Sequence, residues 1–219
     1  RYLKQLVAEG AFGTILTAGV QVRCLRTEAY YHADQWRGTW DKEGGAVLIN
    51  QAIHFIDALI WIMGGVQAVH GTYENLTHNG VMETEDTAVA LLKFRCGALG
   101  TVEATCSSNL DWEPTLAVHG SHGAVELRHG AVAKLEFSDP ALATRVREGF
   151  AACKAPHGQS ALKSYYGEGH PAQLADFADA VRTRRAPFVT ALSARHTVET
   201  VFGIYASHRK HKWVELNSH

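Results

Sequence analysis

The sequence lacks most of the features that assign a function at a glance. Its 219 residues include four cysteines, Cys24, Cys96, Cys106 and Cys153, with no C-x-x-C pair, zinc spacing or disulfide framework among them. The expectation is reduced, mostly buried thiols in a cytoplasmic protein. Proline is scarce, and no Pro-rich or Gly/Ser-rich linker interrupts residues 1–219, which read as a single domain. A net charge of -1, from 21 Lys+Arg against 22 Asp+Glu, gives no electrostatic case for nucleic acid or an anionic membrane. The longest apolar segment, "AVLINQAIHFIDALIWIM", is broken by Asn, Gln, His and Asp and makes a poor membrane span. There is no strand–G-x-G-x-x-G–helix unit to cradle a dinucleotide. Histidines are plentiful, but the pairs His119/His122 and His208/His211 lack nearby carboxylates or cysteines, so no metal site is expected.

What is present reads as an α+β domain. "RYLKQLVAEG" has helical spacing up to a glycine stop, and "TILTAGVQVRC" alternates like a strand. A polar, aromatic-rich loop, "RTEAYYHADQWRGTWDKEGG", leads to a helix that ends at Gly64-Gly65. Strand-like runs then follow in series. "TAVALLKFRCGALGTVEATCS" carries a hairpin signal, with Ala88, Ala90, Leu92 and Phe94 on one face and Thr87, Val89, Leu91 and Lys93 on the other. The series predicts an antiparallel meander, one large sheet with helices packed on one face. Residues 139–169 read as an irregular excursion. Two helices follow: "HPAQLADFADAVRTRR", with Leu174, Phe177, Ala180 and Val181 on one face, and a last one capped by Ser193. "KWVEL" reads as a short final strand. Because the chain opens on Arg1 inside a helical pattern, it is expected to be part of something longer.

The stretch "GGAVLINQAIHFID" puts Asn50, His54 and Asp57 into apolar surroundings. At i, i+4 and i+7 these residues share one stripe of a helix. Buried polar groups cost free energy unless paired, so the stripe must face a partner or a cleft. Histidine is the side chain best suited to move a proton near neutral pH. The alternative from spacing alone is a core histidine satisfied by Asp57 or a carbonyl. The preceding glycines allow close approach, and a helix start favours oxygen-rich ligands.

"WRGTWDKEGGAVLINQAIHFIDALIWIMG", together with "EDTAV", "GALGTVE" and "GHPAQLADFADAV", resembles the C-terminal domain of the Gfo/Idh/MocA oxidoreductases, and most closely their sugar-nucleotide branch. The resemblance implies a two-domain enzyme. A nucleotide-binding Rossmann domain, on the order of 100–150 residues and absent from these, would hold NAD or NADP. This domain would supply the substrate wall and a homodimer or homotetramer interface on the sheet face. The resemblance makes His54 the catalytic base toward a sugar, sugar-nucleotide or polyol hydroxyl. Asn50 stands where the inositol type has Asp, so it cannot support His54 by charge. Trp36, Arg37, Gln51, Asp57 and His170 are the candidate substrate contacts, with Asp57 the candidate to orient the imidazole. Trp36 and Trp40 have the alternative of anchoring their loop, and His170 that of capping its helix. A rival reading from another class is a non-catalytic assembly module with the same fold.

Overall fold

In Thr87–Phe94 every second side chain is buried, whereas the intervening Val89 and Leu91 are 47% and 52% exposed. Period-two patterning dictates this for a strand covered on one face. The computed structural model describes residues 1–153 and 170–217. Its first half runs α1 (Tyr2–Ala8), β1 (Ile15–Arg23), α2 (Glu28–His32), a π-helical turn (Val47–Ala52) that continues as α3 (Ile53–Met63), and β2 (Val66–Glu74). Then come β3 (Thr87–Phe94), β4 (Leu99–Thr105), β5 (Thr115–Gly120), β6 (Gly123–Arg128) and β7 (Ala131–Phe137). The chain closes with α4 (Pro140–Ala152), α5 (His170–Thr183), α6 (Ala191–Lys210) and β8 (Val214–Glu215).

The strands form one eight-stranded sheet in the order β7-β6-β5-β1-β4-β3-β2-β8. Every pairing is antiparallel except β1 with β4. The α+β architecture and the mostly antiparallel sheet agree with the patterning. The single meander does not, because β1 inserts between two smaller ones, β2–β3–β4 and β5–β6–β7. That insertion is a long-range pairing, and local alternation carries no record of it. Ile56, Leu59 and Ile60 of α3 meet Val201, Ile204 and Tyr205 of α6 over Val20, Val69, Leu92 and Val102 of the sheet in one buried cluster. α3 stops where expected: Gly64 takes the left-handed conformation and its N–H returns to the Ile60 carbonyl.

Three further expectations need correction. Residues 140–152, within the segment read as irregular, form α4, started by Pro140 and by the Asp139 carboxylate accepting the Ala141 N–H; residues 154–169 lie outside the described residues. α6 begins earlier than Ser193, with Thr190 as its cap and Ser193 completing a reciprocal capping box. Only Cys106 is buried, whereas Cys96 and Cys153 are exposed. The apolar face of α5 is uncovered: Leu174, Phe177 and Val181 are exposed and only Ala180 is buried.

Candidate active site

The site region is built around the start of α3. Gly44 and Gly45 both have positive φ, and the backbone enters a π turn rather than an α turn at Val47. Such turns are rare and recur at functional sites. A Cβ on Gly45 would sit 2.1 Å from the Tyr205 hydroxyl, so the close approach that glycine permits here is made by a core tyrosine and not by a ligand. The helix start is likewise taken. The Glu85 carboxylate accepts the N–H of Ala46 at 3.1 Å and of Leu48 at 3.0 Å, and the Tyr205 hydroxyl at 2.7 Å. Burial pushes the Glu85 carboxyl up from its ordinary value, against the pull of those hydrogen bonds. The expected oxygen-rich ligand at this helix start is therefore a side chain of the protein itself.

Asp86, the next residue, has the opposite character. Burial favours its neutral form, but the N–H groups of Leu76 and Thr77 and the His78 ring outweigh that and hold it below the usual carboxylate range. Together the two acids pin the loop after β2, the start of β3 and the π turn at one corner. Trp40 belongs to this corner: its indole N–H donates to the Glu83 carbonyl and its ring packs edge-on against Tyr205. Of the two tryptophan alternatives, anchoring holds for Trp40.

The candidate residues divide into two groups. On the helix, Asn50 donates its side-chain amide to Glu43 Oε1 at 2.5 Å, while the other Glu43 oxygen accepts the Gly38 N–H. His54, one turn further on, is exposed and its ring has no hydrogen-bond partner among the described residues. Asp57 does not orient that ring. Its carboxylate accepts the Thr197 hydroxyl of α6 at 2.5 Å, because two turns along the helix carry it toward the α3–α6 contact. In the loop, the Arg37 guanidinium lies over the rings of Tyr30 at 4.1 Å and exposed Trp36 at 4.7 Å, and pairs with Asp34. Gln51 is buried beneath this stack with its amide N–H on the Tyr30 hydroxyl at 3.3 Å. Its side-chain oxygen is buried without a partner among the described residues. His170 is the exposed first residue of α5.

Sequence reasoning passed over Glu43 and Glu85. Glu43 sits among the loop charges of "DKEGG", and nothing local distinguishes it from Asp41 or Lys42. Glu85 had a signal, the first of two adjacent acids at the head of an apolar alternating run.

Comparison with known proteins places this arrangement. The model of an oxidoreductase family's C-terminal alpha/beta domain, that of Gfo/Idh/MocA, matches residues 4–216. The chain belongs to this family. Solved structures related to this Gfo/Idh/MocA domain include the WlbA dehydrogenases from Bordetella pertussis and Chromobacterium violaceum, each in complex with NADH and UDP-GlcNAcA. The first is 25% identical, with a TM-score of 0.81, over 100% of this chain and 59% of that one. The second is 28% identical, with a TM-score of 0.82, over 99% and 59%. A levoglucosan dehydrogenase in complex with NADH shares the fold at 22% identity and a TM-score of 0.74, over 99% of this chain and 62% of that one. The chain thus spans about three fifths of the relatives' length. A comparison with curated protein sequences gave no match.

No glycine-rich strand-to-helix turn is present among the described residues, and Glu85 fills the helix start nearest the candidate base. Among them, too, no helix is long and apolar enough to cross a membrane.

Proposed function

We propose that this chain is the substrate-binding and assembly domain of a longer NAD- or NADP-dependent dehydrogenase that oxidises a hydroxyl of a sugar, sugar nucleotide or polyol. One observation carries the reading. At the corner where α3 begins, Glu85, Asp86 and Glu43 are all bound to protein groups, yet the His54 ring is exposed and unpaired among the described residues. A neutral imidazole so placed can accept a hydroxyl proton as the carbon-bound hydrogen departs with its electron pair. The nicotinamide, held mainly by residues outside this chain, is the chemistry that takes that hydride.

The remaining assignments follow the same division. Asn50 offers its amide oxygen to the substrate hydroxyl or to the protonated imidazole. Trp36 presents an indole face to a sugar ring and Arg37 a planar cation to oxyanions, with Gln51 holding Tyr30 beneath them. Asp57 ties the wall to α6, and His170, at the exposed start of α5, is a further candidate substrate contact. The sugar-nucleotide class draws its support from the WlbA relatives solved with UDP-GlcNAcA. The uncovered apolar face of α5 supports a chain that continues into a second domain. Val89, Leu91 and Leu99, exposed on the side of the sheet away from the helices, support assembly with a second copy. A monomer in sedimentation at micromolar concentration would contradict that last point.

The test is His54→Ala in the full-length polypeptide, assayed with NAD or NADP against a panel of sugar nucleotides. The expected result is a fall of about 10²–10⁴-fold in kcat with the assembly intact. Unchanged turnover favours the assembly module without catalysis.

A further inference from the structure

Asn50 has no charge, but it holds one. Its side-chain amide donates to Glu43 Oε1 at 2.5 Å, and Glu43 Oε2 accepts the Gly38 N–H at 2.5 Å. A carboxylate only accepts, so this contact fixes which end of the Asn50 amide faces Glu43. The opposite end, the carbonyl oxygen, has no partner among the described residues. Gly38 is itself held, with positive φ and Met82 packed where a Cβ would go, so the Glu43 carboxylate is clamped from both oxygens.

We propose that Glu43 is a positioning residue for proton transfer at His54, acting through Asn50. This rests on the dehydrogenase reading of His54. The carboxylate orients and polarises the amide, leaving a strengthened acceptor toward the substrate hydroxyl or the imidazolium N–H. When the hydroxyl proton moves to His54, the ring becomes a cation, and the nearby negative charge stabilises it. Glu43 acts by position and exchanges no proton with the substrate or His54. The pair does the work of an aspartate at position 50, with the charge placed one side chain further back. Other ionisable groups at this corner are Tyr31 of α2, Tyr205 of α6, Glu83 and Glu85 ahead of β3, Asp86 with the His78 ring against it, and, further along α3, Asp57, which is held by Thr197. Both tyrosine hydroxyls are pushed up, by burial first and with the Glu43 charge as a lesser cause, so neither competes for the proton.

The experiment uses the full-length enzyme with Glu43→Gln, Asn50→Asp and the double variant. Loss of the Glu43 charge removes a stabiliser of the protonated base, so Glu43→Gln is expected to move the acid limb of kcat/KM for oxidation to lower pH. It should also lower kcat about tenfold while changing KM little. Asn50→Asp alone sets two carboxylates against each other and loses activity. The double variant restores one charge and one donor, and should recover both turnover and the limb. An unmoved limb in Glu43→Gln, or a double variant no better than either single one, overturns the proposal. His54→Ala in the same assay separates the two failures: if it keeps turnover, the reading of His54 as the base fails. If Glu43→Gln does not fold, the wild-type domain still decides by NMR. A downfield, slowly exchanging Asn50 side-chain amide proton supports the contact, and an ordinary, fast-exchanging one overturns it.

Discussion

α3 and α5 carry the same sequence signature and meet opposite fates. Both space apolar residues at helical intervals, yet α3 buries Ile56, Leu59, Ile60, Ile62 and Met63, whereas α5 leaves Leu174, Phe177 and Val181 58–68% exposed. Periodicity states that a face wants a partner, but not whether the partner lies in the same chain. Around α3 the partners are present and polar groups lock the corner. Around α5 no such partners are present among the described residues.

Four substitutions grade this contrast by denaturant unfolding of the chain. Leu59→Ala opens a cavity beneath α3 and should cost about 3 kcal/mol. Asp86→Ala removes a fully buried carboxylate that accepts the N–H groups of Leu76 and Thr77 and should cost roughly 2 kcal/mol or more. Because the Asp86 carboxyl is held low, its contribution is present above the ordinary aspartate value, about pH 4, and is lost as pH falls below it. Glu85→Gln probes the opposite sign. The folded state keeps Glu85 protonated more readily than the unfolded chain, so wild-type stability should decline as pH rises through the glutamate range and beyond. Glutamine keeps an acceptor for Leu48 and Ala46, so the variant should flatten that decline, with a change of about 1 kcal/mol or less near neutral pH. Leu174→Ala should fall within about 0.5 kcal/mol of wild type. A large loss there, or a small one at Leu59, breaks the comparison.

Legibility followed the range of the forces involved. The alternation of Ala88 to Phe94, the Gly64 stop of α3 and the placement of His54 on it were readable, because each depends on a few neighbouring residues. The parallel pairing of β1 with β4 was not, since residues on two distant strands decide it together. The π turn escaped notice because Val47–Ala52 satisfies the ordinary helical period equally well, and only the Glu85 carboxylate and Tyr205, far along the chain, set its start. For the same reason Asp57 was given to His54 by its spacing, while the fold gave it to Thr197. Glu43 became visible only when Gly38 and Asn50 closed on it.

The central claim is that these residues form one wall of a shared site and leave the cofactor to the other. Calorimetric titration of NADH into this chain and into the full-length polypeptide tests it most directly. The account predicts saturable binding by the full-length protein and no measurable heat with the chain alone; equal affinity for both would contradict it.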